Sequence, residues 1–105
     1  MKLLTKENRK NLPRLYAQEN RGNDAIIHVK FFTPWSNWTW YATEGQPVLN
    51  DEGQEVDFEF FGLVDGFEKE LGYFILSELE SVIGYAGLKI ERDRHFAPQP
   101  VKNFM

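Results

Sequence analysis

Phe31-Phe32-Thr33-Pro34-Trp35-Ser36-Asn37-Trp38-Thr39-Trp40-Tyr41-Ala42-Thr43-Glu44, residues 31–44, decides the fold. It contains all three tryptophans and reads as the turn and second strand of a β-hairpin. The first strand is Ala25-Ile26-Ile27-His28-Val29-Lys30-Phe31-Phe32, rich in the β-branched and aromatic residues that suit a pleated surface. Side chains alternate along a strand, so Ile27, Val29 and Phe31 are expected on one face and His28 and Lys30 on the other. Thr33 to Asn37 is turn chemistry, because Pro34 fixes φ and removes a ladder donor. On the return strand Trp38, Trp40 and Ala42 share a face, opposite Thr39, Tyr41 and Thr43. Core filling by Trp38 and Trp40 is favoured over base stacking, and the threonine side is expected to be the wetter one. Trp35, at the turn tip, has fewer ways to be buried and is a candidate partner contact, since large aromatics anchor interfaces.

Before this hairpin, Thr5 is placed to cap a short helix over segment 5–12, which Pro13 stops by about Leu12. Leu12, Leu15 and Tyr16 then lay an apolar edge on the sheet, and Asn20 to Asp24 loop into the first strand. Beyond Glu44, Asn50 to Gly53 reads as a hairpin tip in which Gly53 takes a positive φ. The third long strand is Val56 to Val64, with Val56, Phe58 and Phe60 facing the core and Asp57 and Glu59 facing out. The pattern slips at Phe60-Phe61, where a bulge near Gly62 would turn Phe61 and Leu63 inward. A turn at Asp65-Gly66 leads to a short strand, Tyr73 to Leu76. Ser77-Glu78-Leu79-Glu80 has the form of a capping box with Ser77 as the N-cap, and Leu79, Val82 and Ile83 then share a helical face that Gly84 ends. Leu88 to Glu91 is expected to form a last short strand burying Leu88 and Ile90. Pro98 and Pro100 make the tail, residues 96–105, extended. The fold class that follows is α+β: a mainly antiparallel sheet of four to six strands with one or two short helices packed on one face.

With 105 residues, 42% of them apolar and 15% aromatic, the chain is expected to form one globular domain over residues 1–105. It has no cysteine, which removes disulfides and thiolate chemistry. Without a signal peptide or a long apolar run, a cytoplasmic protein with no membrane partner is expected. Asn37-Trp38-Thr39 matches a glycosylation acceptor, which means nothing without secretion. The net charge of −4 conceals an asymmetry. Residues 1–21 carry six basic side chains against two carboxylates, +4, whereas residues 44–80 carry eleven carboxylates and only Lys69, −10. Such segregation bears on partners and association rates rather than on fold.

Catalytic patterns are absent from the sequence. Asp57 and Glu59 share a strand face, but nothing beside them resembles a desolvating pocket, so a solvated face is favoured over an acid–base pair. His28 and His95 lack ligand spacing, and Asn50 to Gly53 lacks that of a calcium loop. Ser36, Ser77 and Ser81 sit in no nucleophile elbow, and Gly62, Gly66 and Gly72 form no phosphate cradle. No enzyme activity, no cofactor and no metal are expected.

Several stretches together resemble the DUF2958 family of small bacterial proteins of unknown function. They are Lys30-Phe31-Phe32-Thr33-Pro34, Trp38-Thr39-Trp40-Tyr41, Thr43-Glu44, Phe60 to Val64, Glu70 to Phe74, Glu78-Leu79-Glu80 and Ile90-Glu91-Arg92-Asp93. The stretch Gln46 to Gln54 is longer than the family pattern. The resemblance implies no catalytic residue, but it implies a setting on plasmids, phages and conjugative elements, where small acidic proteins counter host defence and some are anti-CRISPR inhibitors. The expected function is therefore a small acidic interaction protein that inhibits a Cas9-type nuclease by occupying its basic nucleic-acid channel. The partner-binding residues expected for it are Trp35, Glu55, Asp57, Glu59, Asp65, Glu68 and Glu70. The alternative is a nucleic-acid-binding accessory protein using the basic N-terminal segment and exposed aromatics, against which the acidic middle speaks.

Overall fold

The structure is a computed structural model that describes residues 1–105. Its main sheet is antiparallel and five-stranded, in the order β5-β4-β3-β2-β6. The strands are β2 (Val29–Phe32), β3 (Thr39–Leu49), β4 (Glu55–Asp65), β5 (Lys69–Ile75) and β6 (Glu91–Arg92). A second sheet pairs β1 (Ile26–Ile27) with β7 (Gln99–Pro100). Two helices, α1 (Lys6–Asn11) and α2 (Leu76–Ser81), complete the α+β fold. The hairpin read from residues 31–44 is present, with Phe31 opposite Trp40 and Phe32 opposite Thr39.

Both faces of the sheet are covered, and this overturns several expectations drawn from alternation. The larger core contains Leu3, Leu4, Leu12, Val29, Phe31, Ala42, Phe58, Phe60, Phe74, Leu79 and Ile90. Phe60 anchors it, edge-on to Phe31 and stacked on Phe74. The smaller core, on the back of the sheet, joins Ala25, Ile27, Tyr41, Leu63 and Val101. Ile27 therefore does not share a face with Val29 and Phe31. The ladder breaks at His28, and Ile27 belongs to the β1–β7 sheet. Trp40 does face the larger core with Ala42, but Trp38 and Trp40 are only partly buried, while Tyr41 and Thr43 on the supposed wet side are buried. The cover is the tail. Residues 96–105 are not simply extended: β7 is followed by a 3-10 turn at Val101–Asn103, and Phe104 stacks on Tyr41 with ring centroids 4.5 Å apart. Leu63 is buried by this cover.

The irregularities in the sheet lie away from the expected place. β4 continues without a bulge through Phe60, Phe61 and Gly62, and the extra residue is Thr43 on β3, between the pairs Ala42–Gly62 and Glu44–Phe61. Gly62 sits beside it because a Cβ there would overlap the Tyr41 carbonyl oxygen. A second irregularity leaves Val56 unpaired between Val48–Asp57 and Leu49–Glu55, so Val56 is exposed rather than core.

The helices differ from each other in how they start. Thr5 caps α1 as expected: its hydroxyl accepts from the Asn8 amide while the Asn8 side chain accepts from the Thr5 amide. In α2 the expected box is not formed. The helix begins at Leu76, two residues too early for Ser77 to be its N-cap, and no side chain within it caps it. The acceptor comes instead from β4, where Asp57 accepts from the Ser77 backbone N–H at 3.1 Å and from its hydroxyl. Leu79 is buried, but Val82 and Ile83 lie beyond the helix and are exposed, as is Leu88, leaving Ile90 to bury the last segment. Leu12 and Leu15 are buried as expected, whereas Tyr16 is exposed with φ of 73°.

Candidate functional site

The −10 segment is not a continuous carboxylate surface. Glu55 pairs with Arg9 at 2.8 Å, and the Arg9 guanidinium also lies 4.8 Å over the Phe58 ring, so part of the basic N-terminal segment neutralises the start of β4. Asp57 is committed to the start of α2. Burial pushes its carboxyl up, but hydrogen bonds from Ser77 and the Phe58 amide outweigh this and hold it below the ordinary carboxylate range. The unpaired Val56 also interrupts the alternation that would align Glu55 with Asp57 and Glu59. Of that expected row, Glu59 alone has no such engagement.

The rest of the acidic set divides between the two faces. Cross-strand partners share a face, so Glu70, opposite Val64, lies on the Trp40 side of the sheet. Asp65, opposite Thr39 and Lys69, lies on the Tyr41 side. Burial and then the Asp65 charge push the Tyr41 hydroxyl up. Lys69, the one cation of the segment, donates to the Phe104 carbonyl at 2.8 Å.

Glu68 and Glu70 line a shallow cleft with Trp38, Val64 and Phe67. The turn after β4 carries Phe67, which is 95% exposed and stands edge-on to Trp38 at 5.4 Å. Trp38 in turn lies 5.9 Å from Trp40 and covers Gly66, where a Cβ would strike its ring. An aromatic held this far out of the core without packing cover is the kind of residue that anchors an interface. Trp35 is differently placed. It packs against the larger core, with its ring over Gly84, where a Cβ would overlap it.

Glu44, the first carboxylate of the segment, is 3% exposed. The Thr43 bulge turns it away from Phe31 and Phe60 and toward the segment after α1. There its two oxygens accept from the Tyr16 N–H at 2.7 Å and the Gln18 N–H at 2.9 Å. Gln18, also buried, completes the arrangement by bonding Ile26 through both its N–H and its C=O, and the Thr43 carbonyl. This charge is satisfied by backbone donors instead of a cation.

No group of three or more His, Asp or Glu side chains is arranged to hold a metal ion, and no helix is long and apolar enough to cross a membrane.

A family model described as a protein of unknown function, DUF2958, matches residues 3–104. The chain belongs to the DUF2958 family. No curated protein and no solved structure matches it.

In this DUF2958 chain three exposed aromatics, Phe67, Tyr16 and Tyr73, lie outside the partner-binding residues expected from the sequence. Phe67 had a usable signal: a large aromatic after Asp65-Gly66 and before Glu68, where a turn gives it nothing to pack on. Tyr16 and Tyr73 had none, since their neighbourhood depends on a bulge and a left-handed residue that alternation does not reveal.

Proposed function

We propose that this protein is an interaction module that docks the Trp38–Phe67 end of its sheet on a basic nucleic-acid-binding channel and so excludes nucleic acid from it. A Cas9-type nuclease is the expected partner, because such enzymes hold their duplex in a positively charged channel. The exposure of Phe67 beside Glu68 and Glu70 is the observation that supports this reading most. Arginine side chains stack on aromatic faces and pair with carboxylates, so one patch offers both contacts to a surface that normally receives phosphates. Glu55 and Asp57 are assigned to folding instead of contact, since both are held within the chain.

The test is a pull-down and cleavage-inhibition assay with wild type, Phe67→Ala and the double reversal Glu68→Lys with Glu70→Lys. Both variants should remain folded, because these side chains are exposed. Inhibition should fall in both, and wild-type binding should weaken as salt rises, since exposed charges are screened. Full inhibition by both folded variants would refute the assignment.

A further inference from the structure

A second cleft, of about 270 Å³, lies on the other face of the sheet and shares no residue with the Trp38–Phe67 end. Its walls include Tyr16, Phe61, Leu71 and Tyr73, with Glu44 in the interior and Glu19 contributing a second carboxylate. Three irregular features meet here. Tyr16 is a bulky residue in the left-handed region, the Thr43 bulge aims Glu44 at this place, and Glu44 is a buried carboxylate with no cation beside it. A non-glycine residue at positive φ is held against its own preference by its surroundings, and such positions cluster at ligand sites. Bulges likewise re-aim side chains at sites.

We propose that this cleft binds a single alkylguanidinium or alkylammonium group. Charge decides the class of ligand. The lining holds two carboxylates and neither lysine nor arginine, so an anion would be repelled. Each Glu44 oxygen takes one backbone N–H and keeps accepting capacity, and those two amides prevent the carboxylate from swinging out to meet a solvated ion. Three aromatic rings suit a cation that sheds water on entering. The volume lies just below the range of about 300–1,000 Å³ usual for drug-sized ligands, which suits a narrow stem with one charged head. Tyr16 beside it, then burial and the Glu59 and Glu44 charges, push the Tyr73 phenol up to about 12.

The experiment titrates the 15N-labelled protein with n-butylguanidine, n-butylamine and, as a neutral match, n-butanol. Amide shifts should saturate at Tyr16, Phe61, Leu71 and Tyr73 with the two cations. Butanol should bind at least about tenfold more weakly, the ratio corresponding to roughly 1.4 kcal/mol of charge recognition. Leu71→Trp, which fills the cleft from a half-exposed position, should weaken cation binding by a similar factor while preserving the spectrum elsewhere. A blocked arginine, N-acetylarginine methylamide, identifies the source. Binding as tight as butylguanidine assigns the occupant to a protein side chain, and binding by the free cations alone assigns it to a small molecule. Equal binding of butanol, shifts that map elsewhere, or no saturation by roughly 10 mM cation, ten times the Kd of a ligand worth about −4 kcal/mol, overturns the proposal.

Discussion

Replacing Glu44 probes the interior of the fold through a single buried carboxylate. Its carboxylate accepts two backbone hydrogen bonds, at 2.7 and 2.9 Å, from Tyr16 and Gln18, and the residue is 3% exposed. Hydrogen bonds to a charged group contribute about 1.5–3 kcal/mol each, and a buried donor left unmatched costs a similar amount. Glu44→Ala removes both acceptors at once and should therefore cost about 3–5 kcal/mol. At roughly 0.05–0.15 kcal/mol per residue the whole fold is worth only about 5–15 kcal/mol, so this is a large share of it. With about 4–8 °C lost per kcal/mol in a domain of this size, the midpoint should fall by about 12–40 °C. Glu44→Gln retains one carbonyl oxygen but turns its NH2 toward the second amide, and should cost about 2–3 kcal/mol. Urea melts supply the free energies, and hydrogen exchange at the Tyr16 and Gln18 amides reports the local loss. A glutamine variant within about 0.5 kcal/mol of wild type, with both amides still protected, would refute the role assigned to this carboxylate.

Four further outcomes follow from the packing and the Asp57 carboxyl. Asp57→Ala should cost about 1 kcal/mol by uncapping α2, and Ser77→Ala less, because the Ser77 backbone N–H keeps its acceptor. The Asp57 carboxyl sits below its unfolded value, so its contribution is present above that value and lost as pH falls through the folded one. Acid titration of stability should accordingly be shallower in Asp57→Asn than in wild type. Phe60→Ala, at a fully buried ring, should cost about 3–5 kcal/mol and Trp40→Ala clearly less, as denaturant melts would show. Gly62→Ala should cost about 3 kcal/mol, because its Cβ meets a backbone carbonyl that cannot turn aside, and a melt at wild-type temperature would count against the tight β3–β4 approach.

Much of the fold is legible along the chain, and the reasons it stops being legible are specific. The hairpin over residues 31–44, the capped α1 and the positive φ at Gly53 each depend on neighbours within a few positions, and each is present. Alternation also gives the larger core correctly through Phe31, Ala42, Phe58 and Phe60. It fails for Tyr41 and Thr43, because a segment some sixty residues downstream covers the face on which they sit. Ser77 shows the same limit. Its Ser-x-x-Glu spacing is a sound local signal, but Asp57 on β4 reaches the helix start and takes the capping role. The acidic segment was readable as a count and not as a surface, since Arg9, Ser77 and the interior of the fold each engage part of it.

The β1–β7 pair has a consequence for how the chain acquires its structure. Ile26 pairs with Pro100 and Ile27 with Gln99, partners separated by more than seventy positions. Closing so long a loop is entropically costly, and contacts of this separation form slowly. The main sheet can assemble before the tail docks, but Ile27, Tyr41 and Leu63 stay uncovered until Val101 and Phe104 pack on them. The folding protein therefore passes through a stage with one finished face and one bare apolar face, the kind of surface that recruits chaperones or self-associates. A substitution at Val101 or Phe104 should reveal itself first as lower yield on expression, before any change is measurable in the purified protein.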